Sequence, residues 1–172
     1  MSHYELAILG SPTEAERAAL VRAIATLVGD FGIEIGRELI LHDGASVAGR
    51  NPRAAFVAAY FGGVPASDVE AARMLVAQSA PVIPTVGPTQ EFGTCIPDFL
   101  QSANGLRRRG DDEPMRELAA ALLECIGLLR QQRRVFVSYR RTEARAAALQ
   151  LHDLLSARGF DVFLDTHDIR PG

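Results

Sequence analysis

Short apolar runs alternate with amphipathic stretches along this chain, and several of the runs stop at glycine. Residues 4–9 (YELAIL) are mostly apolar and end at Gly10, which predicts a first strand. Ser11-Pro12-Thr13-Glu14 predicts a helix start, with Ser11 as cap, Pro12 in first position and Glu14 in third. Ala15, Ala18, Ala19, Leu20, Val21, Ile24 and Leu27 make that helix apolar around much of its girth, so deep burial is expected. Residues 33–41 (IEIGRELIL) predict a second strand, bulged at Gly36. Residues 44–52 are small and read as a loop, and Asn51-Pro52 reads as the start of a helix reaching Tyr60. Gly62-Gly63 breaks it, and Pro65-Ala66-Ser67-Asp68 starts another helix through about Gln78. Residues 81–86 (PVIPTV) predict a short strand, kept to a strand end or sheet edge by Pro84. A long loop over 87–95 and a short helix over 96–103 follow. Pro114 opens a long helix ending near Arg130, with Met115, Leu118, Ala119, Leu122, Ile126 and Leu129 as its apolar stripe.

The last forty residues have a clearer pattern. Residues 135–137 read as a buried strand delivering Ser138, Tyr139, Arg140 and Arg141 at its carboxyl end. Ala144, Ala147, Ala148, Leu151, Leu154 and Leu155 fall on one helical face, and Gly159 stands where that helix stops. Residues 160–164 read as a second buried strand. Strand, helix and strand with short connections predict a right-handed parallel crossover. The fold class is therefore α/β: a small parallel-sheet domain of flavodoxin-like or receiver-like type over residues 1–131, and a strand–helix–strand unit over residues 132–172.

VFVSYRR resembles the first signature of the Toll/interleukin-1 receptor (TIR) domain, and VFLDTHDIRPG resembles its second, a strand and a loop ending in Pro-Gly. The order is right and the intervening helix has the right length. The resemblance implies the first β-α-β unit of a flavodoxin-like TIR domain. It also implies that the full-length protein hydrolyses NAD as a defence or signalling effector. NAD would then be a substrate, and Ser138, Tyr139, Arg140, Arg141, Asp165, Asp168 and Arg170 would line its site. Members that cleave NAD use a glutamate on a later helix, and no residue here takes that role. The chain is therefore read as a fragment, inactive by itself, with no catalytic residue assigned. The alternative is a TIR scaffold that assembles through homotypic contacts of its second signature loop, with an N-terminal domain that senses a ligand or partner. The open edge of residues 160–164 invites pairing with another chain. AQSAPVIPTV is similar to a later strand of the family, which leaves a degenerate TIR-like copy as another reading of the first domain.

Composition narrows the chemistry. All eighteen basic residues are arginine. Without lysine there is no Schiff base and no P-loop, and in Gly44-x4-Gly49 an arginine, Arg50, stands where the P-loop lysine would be. The net charge of −3 argues against a dedicated nucleic-acid binder. From Arg133 onward there are seven arginines against five acids, while the preceding part is acidic. Cys95 and Cys125 are too far apart for a local metal or redox motif and read as reduced thiols in or near the core of a cytoplasmic protein. No apolar run is long enough for a membrane span, and no signal peptide is visible. Glu5 and Asp43 resemble part of a receiver's acid cluster, but Gly10-Ser11 follows the first strand where an acidic pair would stand. His152 reads as a surface or rim residue, and His167 as a lone loop histidine between acids. No metal-ligand spacing occurs. A small nucleotide signal bound at residues 44–52 or 87–95 is a further reading of the first domain.

Overall fold

β1 (Tyr4–Gly10) and β3 (Ala55–Phe61) pair along their whole lengths, from Tyr4 opposite Ala55 to Gly10 opposite Phe61. They form the centre of a five-stranded parallel sheet with β2 (Leu39–His42), β4 (Val82–Val86) and β5 (Leu106–Arg107), in the order β2-β1-β3-β4-β5. The structure is a computed structural model and describes residues 4–109, 114–129, 134–137, 145–156 and 161–164. The chain divides into two units, Met1–Leu129 and Arg130–Gly172.

In the first unit, alternate residues of the central strands serve opposite faces. Leu6, Ile8, Val57, Ala59 and Phe61 meet Leu20, Ile24 and Val28 of α1 (Glu14–Gly29) and Leu118, Leu122 and Leu123 of α4 (Pro114–Cys125). Ala7, Leu9, Phe56, Ala58 and Tyr60 meet Ala72 and Leu75 of α2 (Val69–Ala77) and Cys95 of α3 (Phe92–Cys95). Helices therefore cover both faces of a parallel sheet, the flavodoxin-like α/β arrangement that the alternation of strand and helix patterns predicts. Among the described residues no helix is long and apolar enough to cross a membrane.

Several local expectations are corrected. Residues 51–60 do not form a helix; their apolar core is the central strand β3, buried at every residue from Phe56 to Phe61. A strand covered on both faces shows no polar alternation, and its alanines imitate a helix. The second strand is only Leu39–His42, because residues 33–38 turn back on themselves through Gly36 N–H to the Leu39 carbonyl and Glu38 N–H to the Glu34 carbonyl. The cap of α1 is Thr13, not Ser11. Thr13 Oγ1 accepts from Glu16 N–H and Glu16 accepts from Thr13 N–H, so Glu16 and not Glu14 is the third residue. That helix buries a single stripe, Leu20, Ile24 and Val28, rather than most of its girth.

β4 lies inside the sheet. Pro84 is tolerated there because β5 pairs only with Thr85 and Val86, leaving Pro84 paired to β3 alone. The short helix expected over 96–103 is a single turn at Phe92–Cys95 plus a 3-10 turn at Asp98–Leu100. α4 stops at Cys125, where Gly127 N–H bonds the Glu124 carbonyl and Leu128 N–H bonds the Leu123 carbonyl, a tightened end that tucks Leu128 into the core. Cys95 is buried as expected, but Cys125 is exposed.

In the second unit β6 (Arg134–Val137) and β7 (Asp161–Leu164) pair in parallel, Arg134 opposite Asp161 through Val137 opposite Leu164, with α5 (Arg145–Ser156) between them in the chain. Ala148 of α5 is buried, whereas Leu151 and Leu154 are about half exposed. His152 is partly exposed beside Asp153.

Candidate functional site

The chain leaves β1 for β2 on one side and then returns across it to β3 on the other, so the topological switch point lies between the carboxyl ends of β1 and β3. Open parallel sheets bind ligands beyond that edge. The loops that converge here follow β1, β2, β3, β4 and β5.

Asp68 ties three of them together. It caps α2 from the left-handed region at φ 53, an unusual backbone for a side chain with a Cβ. Its Oδ2 accepts the Gly10 N–H at 3.0 Å. Its carboxylate also lies so close to Gly44 that a Cβ there would overlap it. The glycine in the P-loop-like stretch thus serves loop packing. Ser11 approaches the same group from β1, with Oγ 3.1 Å from Ser67 Oγ and its N–H bonded to the Phe61 carbonyl. Tyr60 donates its hydroxyl to the Ser67 carbonyl at 2.8 Å; burial and then the nearby Asp68 charge push that phenol up from its ordinary value.

Arg108 holds the opposite side of the edge. Nη2 donates to Glu16 Oε1 at 2.7 Å, Nη1 to Thr85 Oγ1 at 3.2 Å, and the guanidinium lies over the Phe61 ring. Three consecutive arginines, Arg107, Arg108 and Arg109, separate by role here. Arg107 clamps the loop after β4 through the carbonyls of Pro88 and Gln90, Arg108 is buried, and Arg109 is exposed. Burial raises the Glu16 carboxyl, but the Thr13 N–H and the Arg108 charge outweigh it, and the group ends below its ordinary value. Arg108 is itself lowered by burial against the holding effect of Glu16, yet a guanidinium stays charged at any working pH.

A depressed carboxyl stabilises the fold above its unfolded pKa, about 4.3, and that contribution disappears as pH falls through the lower folded value. The melting-temperature gap between the native protein and Glu16→Gln is therefore expected to be level above pH 5 and to close below about pH 4. A gap unchanged down to pH 2.5 counts against this.

Residues 44–52 and 87–95, the two stretches singled out for a nucleotide, both leave the carboxyl edge, after β2 and β4. Glu5 and Asp43 do not form an acid cluster. Glu5 bonds His42 and the Asn51 N–H near the amino end of β1, and Asp43 accepts from the Ser46 hydroxyl and the N–H groups of Ser46 and Ala45, which hold it below its ordinary value. Among the described residues no group of three or more His, Cys, Asp or Glu could hold a metal ion. Ser138, Tyr139, Arg140, Arg141, Asp165, Asp168, Arg170 and His167 lie outside the described residues. The strands before them end at Val137 and Leu164, which are partners in the register, so the two carboxyl ends stand side by side. No protein-family model matches the chain, and no curated protein matches it.

Sequence reading missed Glu16, Thr85 and Arg108 as neighbours, and Asp68 as the partner of Gly10. The only local signal was Thr13-x-x-Glu16, a capping-box spacing that placed Glu16 at the start of a helix.

Proposed function

We propose that the first unit is a ligand-sensing domain, that the second is the opening unit of a TIR domain, and that the full-length cytoplasmic protein carrying both hydrolyses NAD as a defence or signalling effector. The observation that carries this reading is the parallel pairing of β6 with β7 across α5. VFVSYRR and VFLDTHDIRPG each begin with the last three residues of one of those strands, in the element order that the TIR resemblance requires. Arg140 and Arg141 would supply flat, bidentate donors to the phosphates of NAD, with Ser138, Tyr139, Asp165, Asp168 and Arg170 lining the same site. Cleavage of the nicotinamide–ribose bond passes through an oxocarbenium-like transition state and needs a carboxylate near the ribose. No such carboxylate is assigned within these 172 residues. NAD turnover is accordingly expected from the full-length protein and not from this chain assayed beside it. Turnover by neither, with the full-length protein assembled into oligomers, replaces the enzyme with the scaffold reading, in which TIR-type units self-associate.

The nucleotide reading of the first unit is favoured by one arrangement: residues 44–52 and 87–95 emerge at the same edge as the switch point. Calorimetric titration with cyclic nucleotides and with NAD is expected to give heat of binding for at least one of them. Silence across the whole set removes this reading of the sensor.

A further inference from the structure

Two charged side chains are buried among the described residues, Glu5 and Arg108. Glu5 lies near the amino end of β1, and Arg108 lies at the carboxyl edge, 5% exposed. An ion pair in such a place is no better for stability than apolar packing of the same shape. The manner in which Arg108 is held is informative. Glu16 covers Nη2 with one oxygen only, Oε1. The other, Oε2, accepts both the N–H and the hydroxyl of Thr13 and completes the cap of α1. Glu16 is 29% exposed while Arg108 is 6% exposed, measured over their side chains, so the carboxylate is the lid and the guanidinium lies behind it. Losing the Oε1 contact leaves the helix cap intact. Gly87, just after β4, lies beside Nη2, where a Cβ would stand 3.7 Å from that nitrogen and 3.3 Å from Gln90 Oε1.

We propose that Arg108 is an anion receiver masked by Glu16: a phosphate or diphosphate group of a small ligand displaces Glu16 Oε1 from Nη2 and takes its place on the guanidinium. This rests on the reading of the first unit as a ligand sensor and names the group that the sensor recognises. The exchange replaces one charge-assisted contact by another, so the desolvated cation is never left alone. A guanidinium fork matches two phosphate oxygens, and the Phe61 ring beneath it keeps its plane fixed. Arg107 and Arg109 flank Arg108 and draw anions to this edge, against the exposed Glu14 and Glu91.

Inorganic pyrophosphate is the probe, titrated calorimetrically at low salt into the 172-residue chain and into Glu16→Gln and Arg108→Met, with circular dichroism as the folding check. Glutamine keeps an oxygen for Thr13 but removes the competing charge. Glu16→Gln is expected to bind about tenfold more tightly than the native chain, the order of one charge-assisted contact. Arg108→Met is expected to lose binding. If the methionine variant does not fold, the Glu16→Gln comparison decides alone. Equal affinity in the native chain and Glu16→Gln overturns the exchange, and so does binding that survives in folded Arg108→Met. Absence of pyrophosphate binding in both the native chain and Glu16→Gln overturns it as well, while heat with a nucleotide in the same buffer would leave the sensor reading standing.

Discussion

Replacing Gly10 with alanine is expected to destabilise the first unit by about 3 kcal/mol or more, among the largest effects of any single methyl added to this chain. Gly10 ends β1 at φ 85, a conformation that costs an L residue about 1–2 kcal/mol. A Cβ there would also overlap the Phe61 carbonyl, and that carbonyl has little room to retreat. It accepts the Ser11 N–H at 2.9 Å, and the next N–H along β3, that of Gly62, is bonded to the Thr85 carbonyl at 2.8 Å. Relief would have to separate β1 from β3 at the switch point, and with them the Gly10 N–H from Asp68. Gly49→Ala is the control: Gly49 has nothing near a built Cβ and no positive φ, so a change within about 0.5 kcal/mol is expected. Urea denaturation followed by circular dichroism separates the two. Matching midpoints for both variants would show that the close approach at Gly10 carries no strain.

The edge that Gly10 closes was only partly legible in the sequence. The first strand, the strand at 81–86 and the stripe of α4 follow from runs and spacings that survive in the fold. β3 did not, and it matters most, because the sheet order depends on it. Ala58 and Ala59 point to opposite faces, each beside aromatic neighbours, and each face is covered by helices. Double-sided burial erases the polar alternation that marks a half-exposed strand, and alanine then reads as a helix former. β5 escaped for a different reason. It is two residues long, it overlaps an arginine triplet, and it exists only because Thr85 and Val86 offer it a partner. Arg108 meets Glu16 across 92 positions of sequence and Thr85 across 23, so the pair follows from the strand order and from no local motif. The two short apolar runs near residues 135–137 and 160–164 were legible as strands, and β6 and β7 pair there in a common parallel register.

The connection from β2 to β3 supplies the second large effect. It must cross β1, yet it holds only a 3-10 turn, Val47–Gly49, in place of the long helix that such a crossing ordinarily uses. Glu5 compensates from beneath. It is 4% exposed on β1, and its Oε2 meets His42 Nε2 at 2.9 Å and the Asn51 N–H at 2.9 Å, one contact at the last residue of β2 and one shortly before β3. Glu5→Ala removes the acceptor from His42 and from the Asn51 N–H, both partly buried. Each buried polar group left unpaired costs about 1–3 kcal/mol, so a loss of about 2–4 kcal/mol is expected. Glu5→Gln keeps an oxygen for the Asn51 N–H and is expected to cost about half as much. His42→Ala removes one of the two contacts, and the double variant closes a thermodynamic cycle. A coupling energy above about 0.5 kcal/mol between positions 5 and 42, from urea denaturation, is the expected result. Coupling of zero would assign the stability of the crossing to its other anchors, Val47 in the core and the cation–π contact of Arg50 over the Phe56 ring, with Glu5 a bystander to the loop it touches.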